Sequence, residues 1–152
     1  MNKNKSICVI STVHPDNDTR ILKQCRTLRQ YFSVDLIIQS EKEVNDGIKI
    51  IPLPIIKNRI QRLHLMLLAI RFSFKKKYDY YLFHDPELIL LGIILKIFRR
   101  KVIYDIHEDY QVQILDKHWI PSYLKKAISS LFFLIEKISS KFFDSLICAT
   151  PF

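Results

Sequence analysis

The chain has 152 residues, 49% hydrophobic and 26% charged, with a formal net charge of +9. That size and balance fit one globular domain and exclude a disordered tract, while the positive excess points to an anionic partner. The cysteines Cys8, Cys25 and Cys148 are scattered with no CxxC pair, which argues against a zinc module or a disulfide framework and for a reducing, cytoplasmic setting. Cys8 and Cys148 sit in apolar runs and read as small buried hydrophobes.

Taken in order, strand-like and helix-like segments alternate. Ile7-Cys8-Val9-Ile10 is a β-branched run that reads as a buried strand. Ile21, Cys25 and Leu28 then fall on one helical face, with Asp18 or Thr19 as the cap. Residues 34–38 are a second strand and Ile48 to Leu53 a third, ended by Pro52 and Pro54. Residues 58–76 read as a basic amphipathic helix whose stripe of Ile60, Leu63, Leu67, Ile70 and Phe74 is expected to face the sheet. A fourth strand spans residues 80–83, a short apolar helix 86–98, and a fifth strand 102–104. Residues 122–142 form a long helix with Leu124, Ile128, Leu131, Ile135, Ile138 and Phe142 in register. Ser145 to Ala149 is a sixth strand. The longest charge-free apolar run, Leu88 to Leu95, is far short of the roughly 20 residues a membrane span needs.

This alternation predicts an α/β fold, a Rossmann-like doubly wound parallel sheet forming a single domain over residues 1–152. A domain of this kind continues into a covering helix after its last strand, so the stop at Pro151-Phe152 reads as an incomplete carboxyl end.

Three loops at strand ends combine histidine with carboxylates. They are His14 to Arg20 after the first strand, His84-Asp85-Pro86-Glu87 after the fourth, and Asp105-Ile106-His107-Glu108-Asp109 after the fifth. In the doubly wound order these strands are neighbours, so the loops are expected to meet at the topological switch point where such folds bind ligands. Asp85 before Pro86 reads first as a helix N-cap. His107, flanked by carboxylates, is the first candidate for acid–base work. With two glycines in the chain there is neither GxGxxG nor GxxxxGK[ST], which disfavours dinucleotide dehydrogenases and P-loop NTPases. GxSxG and HExxH are also missing, and no recognised spacing supports a metal site.

The loops His14-Pro15-x-x-Asp18-Thr19-Arg20, His84-Asp85-Pro86-Glu87-Leu88 and Tyr104-Asp105-Ile106-His107-Glu108-Asp109 resemble the amino-terminal domain of family-four retaining glycosyltransferases, most closely the bacterial members that build surface polysaccharides. The resemblance implies half of a GT-B fold. It implies transfer of a sugar from a nucleotide-sugar donor to a glycan or lipid-linked sugar acceptor with retention of configuration, and no cofactor or metal. It assigns His107 as the catalytic residue. His14, Asp18, Arg20, His84, Asp85, Glu87, Asp105, Glu108 and Asp109 would line the acceptor cleft. The donor domain that this family carries is missing from these 152 residues, so a donor-domain chain is an expected partner. The glycine pair that many relatives carry after the first strand is here a His-Pro-Asp loop.

The alternatives are a non-catalytic glycan- or partner-binding module and a small hydrolase using the same rim. Nucleic acid is not an expected partner, because no recognised binding motif accompanies the charge. An anionic membrane surface is, through the basic helix near residues 58–77, which would put the chain at the inner face of the membrane.

Overall fold

The computed structural model describes residues 5–58, 61–106, 110–118 and 120–148. Seven strands form one sheet: β1 (Ser6–Pro15), β2 (Ser33–Gln39), β3 (Val44–Asn45), β4 (Ile48–Leu53), β5 (Tyr80–Phe83), β6 (Val102–Ile106) and β7 (Ser145–Cys148). Their order is β3-β4-β2-β1-β5-β6-β7, and every pairing is parallel except the short β3–β4 hairpin. The fold is a Rossmann-like α/β domain, as the alternation of strand and helix predicts.

The two-residue β3 has no sequence signature of its own. Its hairpin turns at Asp46 and Gly47, both at positive φ, where glycine is free of the Cβ clash. β4 runs through Pro52, which pairs with Ile38 beyond the reach of β3. An edge position tolerates proline because no outer neighbour asks for its missing N–H.

The helices are α1 (Thr19–Leu28), α2 (Gln61–Ser73), α3 (Ile89–Ile97), α4 (Tyr110–Asp116) and α5 (Ser122–Ser140), with a 3-10 turn at Pro86–Leu88 leading into α3. Alternation along the strands divides the core. Ile7, Val9, Leu36 and Ile38 point to the face covered by α1 through Ile21, Leu22 and Cys25. Cys8, Ile10, Tyr81, Phe83 and Tyr104 point to the other, where Leu65 and Ala69 of α2, Leu91 and Leu95 of α3, Phe132 of α5 and Phe143 close over them. α3 comes close enough that a Cβ on Gly92 would lie 2.8 Å from ring atoms of both Phe83 and Phe143. Burial pushes the Cys25 thiol up to about 12 and raises that of Cys8 as well, leaving both inert.

Three expectations are corrected. Of the stripe of α2 expected on the sheet, Ile70 packs against the core but Leu63, Leu67 and Phe74 are exposed, and the buried positions are Leu65, Ala69 and Ser73. Small side chains let the helix approach the strands closely, and the Ser73 hydroxyl is satisfied by donating to the Ala69 carbonyl. Ile60 lies outside the described residues. The register of α5 is likewise outward: Leu131, Ile135, Ile138 and Phe142 are exposed, while Ser129 and Ser139 are the buried positions. β7 pairs only with β6 and is exposed throughout, so Cys148 is not the buried hydrophobe its apolar setting suggests. Before α5 the chain forms α4, a stretch for which the sequence offers no assignment, held to α5 where Ser129 Oγ donates to the Gln111 carbonyl. Among the described residues, no helix is long and apolar enough to cross a membrane.

Candidate functional site

β1, β5 and β6 are neighbours, so their carboxyl ends share one rim. The centre of that rim is Asp85, which follows β5 after His84 and is 1% exposed. One of its oxygens accepts from the backbone N–H of Thr12 and, at 3.2 Å, from that of Val13. The same oxygen accepts from Ser11 Oγ at 3.0 Å and Thr12 Oγ1 at 3.2 Å. β1 leaves its regular register with β2 after Ile10, which frees these amides to turn toward the carboxylate. The N-cap reading of Asp85 is therefore corrected. Its backbone takes the extended cap conformation, but its side chain makes no cap hydrogen bond and pins the β1 loop instead.

The other Asp85 oxygen lies 3.6 Å from His14 Nε2. His14 Nδ1 is 2.9 Å from Asp18 Oδ2, and Arg20 reaches the Nε2 side at 3.5 Å. Asp18 is the cap of α1 as expected, accepting from the Arg20 and Ile21 amides at 2.9 and 3.1 Å. Burial raises its carboxyl, but the Ile21 amide, His14 and Arg20 outweigh that and hold it below the ordinary carboxylate range. His14, Asp18, Arg20 and Asp85 thus form one connected group.

Glu87 joins it through Thr12, whose hydroxyl donates at 2.8 Å, and Arg62 of α2 stands 3.7 Å away. Burial raises the Glu87 pKa, Asp85 adds to the rise, and Thr12 and Arg62 only partly offset it. Between the ordinary glutamate range and that raised value, the folded chain keeps a proton that the unfolded chain has released. Stability is therefore fully present below this window and falls as pH rises through it. Urea midpoints measured across about pH 4 to 7 are expected to show this fall, and Glu87→Gln is expected to flatten it. Identical slopes in the two proteins would contradict the assignment.

His84 and Asp105 meet beneath the rim, both buried, with Nδ1 3.5 Å from the carboxylate. Gln24 of α1 donates to the same Asp105 oxygen at 2.7 Å. The pair braces α1 against β5 and β6 from inside. His107, Glu108 and Asp109 lie outside the described residues.

Some rim groups escape sequence reasoning. Gln39 donates to the Thr12 carbonyl at 2.6 Å and accepts from the Ile56 amide at 3.0 Å, bridging the β1 loop to the chain after β4. Ser11, Thr12, Gln24 and Arg62 also carry rim contacts. Their only signal is polarity at a strand end or on a helix, which is too common to single out. Beside the rim, Val13, Gln39, Ile56, Lys57, Asn58 and Arg62 line a cavity of about 320 Å³, so its opening carries cations next to Glu87.

Fold and rim together define a Rossmann-like α/β domain with a polar site at the carboxyl ends of its central strands. No protein-family model matches the chain, and no curated protein is significantly similar to it.

Proposed function

We propose that the chain is the acceptor-binding half of a glycosyltransferase that moves a sugar from a nucleotide-sugar donor to a glycan or lipid-linked acceptor, with retention of configuration, in cell-surface polysaccharide synthesis. The observation that carries this reading is the convergence of His14, Asp18, Asp85 and Glu87 at the switch-point rim of an otherwise basic chain. Carboxylates and a half-exposed imidazole suit the many hydroxyls of a saccharide, which both donate and accept. With Nδ1 on Asp18, His14 has its ring orientation set. The loop resemblance adds His107 as the residue that would face the transferred sugar. The donor would be held by a separate unit, and no resident cofactor or metal is invoked.

A non-catalytic glycan-binding module is the second reading. It is favoured by one observation: of the two described histidines in the rim loops, His84 is buried and His14 alone meets solvent.

Both readings require saccharide binding. On an array of free and lipid-linked bacterial saccharides, the chain is expected to bind a subset, and His14→Ala is expected to weaken that binding by at least about tenfold. Binding no stronger than that of His14→Ala would sink both. Saccharide binding without sugar transfer, when a donor-binding unit is supplied, would select the second.

A further inference from the structure

The cavity beside the rim is opposite in charge to the rim itself. Val13, Gln39, Ile56, Lys57, Asn58 and Arg62 line it, and none of these is a carboxylate. The sequence holds no Asp or Glu between Asp46 and Asp79, so the segment that supplies Ile56 to Arg62 carries positive charge alone.

The polar groups of this cavity are unequally committed. Gln39 is fixed, donating to the Thr12 carbonyl and accepting from the Ile56 amide. Lys57 is exposed and makes no ion pair among the described residues. The Asn58 carboxamide makes no hydrogen bond among them either. Arg62 is held loosely, with a guanidinium nitrogen 3.7 Å from Glu87 Oε2, while the other Glu87 oxygen already accepts from Thr12 at 2.8 Å. Two cations and a carboxamide are thus open to a ligand that only accepts, which is the chemistry of an oxyanion. A second cavity of about 310 Å³ shares Val13 and Gln39 with the first, but Asp16 and Glu41 line it. Its carboxylates suit neutral hydroxyls and repel an anion, so the two cavities sort a ligand by charge.

We propose that the cavity of Lys57 and Arg62 receives the acidic substituent, a carboxylate or a phosphate ester, of a sugar residue bound at the rim. The inference rests on the saccharide-binding reading and specifies the ligand as an acidic saccharide. Val13 joins the two places, since it lines the cavity and is followed directly by His14. A ring held at His14 therefore lies beside the cations. The planar guanidinium of Arg62 matches carboxylate and phosphate alike, and the Lys57 ammonium adds a mobile second charge. A volume of about 320 Å³ lies at the lower end of the range for small-ligand sites.

The test is titration of the isotope-labelled full chain, followed by amide chemical shifts, with glucose, glucuronate, glucose 6-phosphate and inorganic phosphate as probes. One of the two acidic sugars is expected to bind at least about tenfold more tightly than glucose and to lose that advantage as salt rises. The stronger of the two identifies the substituent. Lys57→Gln and Arg62→Gln are each expected to lower acidic-sugar affinity about tenfold and to leave glucose unchanged. Lys57 is exposed, so its variant tests the site with the fold intact. Lys77→Gln, beyond the far end of α2, is expected to change neither affinity. Acidic sugars that bind no tighter than glucose would overturn the proposal and leave saccharide binding at the rim standing. Inorganic phosphate that matches glucose 6-phosphate would also overturn it, as the mark of an anion site indifferent to sugar. So would the absence of binding by all of these sugars, and the saccharide array tells that case apart from failure of the saccharide reading itself.

Discussion

Replacing Asp85 with alanine is expected to lower the unfolding free energy by about 3 kcal/mol, since buried donors that lose a charged acceptor each cost roughly 1–3 kcal/mol. Three donors converge on one Asp85 oxygen, the Thr12 and Val13 amides and the Ser11 hydroxyl, and the Thr12 hydroxyl is shared between it and Glu87. Urea denaturation measures the loss as a lower midpoint at unchanged slope. A helix cap alone would be worth about 1 kcal/mol. The size of the loss therefore separates the two roles: a drop near the cap value would mean that the β1 loop is held by something other than Asp85. The same variant is expected to lose saccharide binding, because His14 sits on the segment that Asp85 fixes.

The other large effect is expected for Phe83→Ala, at about 3–5 kcal/mol, the usual range for deleting a buried aromatic ring. Phe83 is fully buried, stacked on Tyr104 with centroids 4.6 Å apart and met edge-on by Phe143 at 5.5 Å. It also sits against the backbone of Gly92, so one ring joins β5, β6, α3 and the approach to β7. Tyr104 cannot collapse into the space, because its hydroxyl is tied to Glu136. A cavity that cannot close keeps its full cost. The check is again the urea midpoint, and a loss under about 1 kcal/mol would show that the surrounding rings repack.

The two variants also divide the molecule. Asp85 acts through polar groups at the rim, whereas Phe83, two residues earlier at the end of β5, acts through the apolar core. Phe83→Ala is expected to destabilise without a specific defect in saccharide binding at temperatures where the fold persists.

Much of the fold could be read directly from the chain. The β-branched runs at residues 7–10 and 34–38 are strands that bury both faces, and a strand buried on both sides needs no partner identity to be recognised, while residues 48–53 are apolar enough to read as a strand with one face partly open. Asp18 caps α1 for a reason local to four residues. The convergence of the first two loops also follows from chain order alone, since alternation of strand and helix allows few sheet orders. Alternatives with longer reach were not legible. Asp85 before Pro86 has the local signature of a cap, and only the bend of β1 after Ile10 turns backbone amides toward it.

What the sequence by itself determined is the class of structure and the histidines and carboxylates of the first two rim loops, because periodicity, capping and strand order are short-range properties. What only the tertiary structure decided is direction. A helix such as α2 carries apolar residues on two faces, and periodicity does not say which one meets the sheet. The choice fell to the face with Ala69 and Ser73, because small side chains let the helix come close to the strands, and the larger Leu63, Leu67 and Phe74 were left outside. The serines of α5 are buried while its leucines and isoleucines stay exposed. In α2 packing distance, a property of two surfaces meeting, overrode the hydrophobic pattern of one, and in α5 Ser129 is buried where it meets α4.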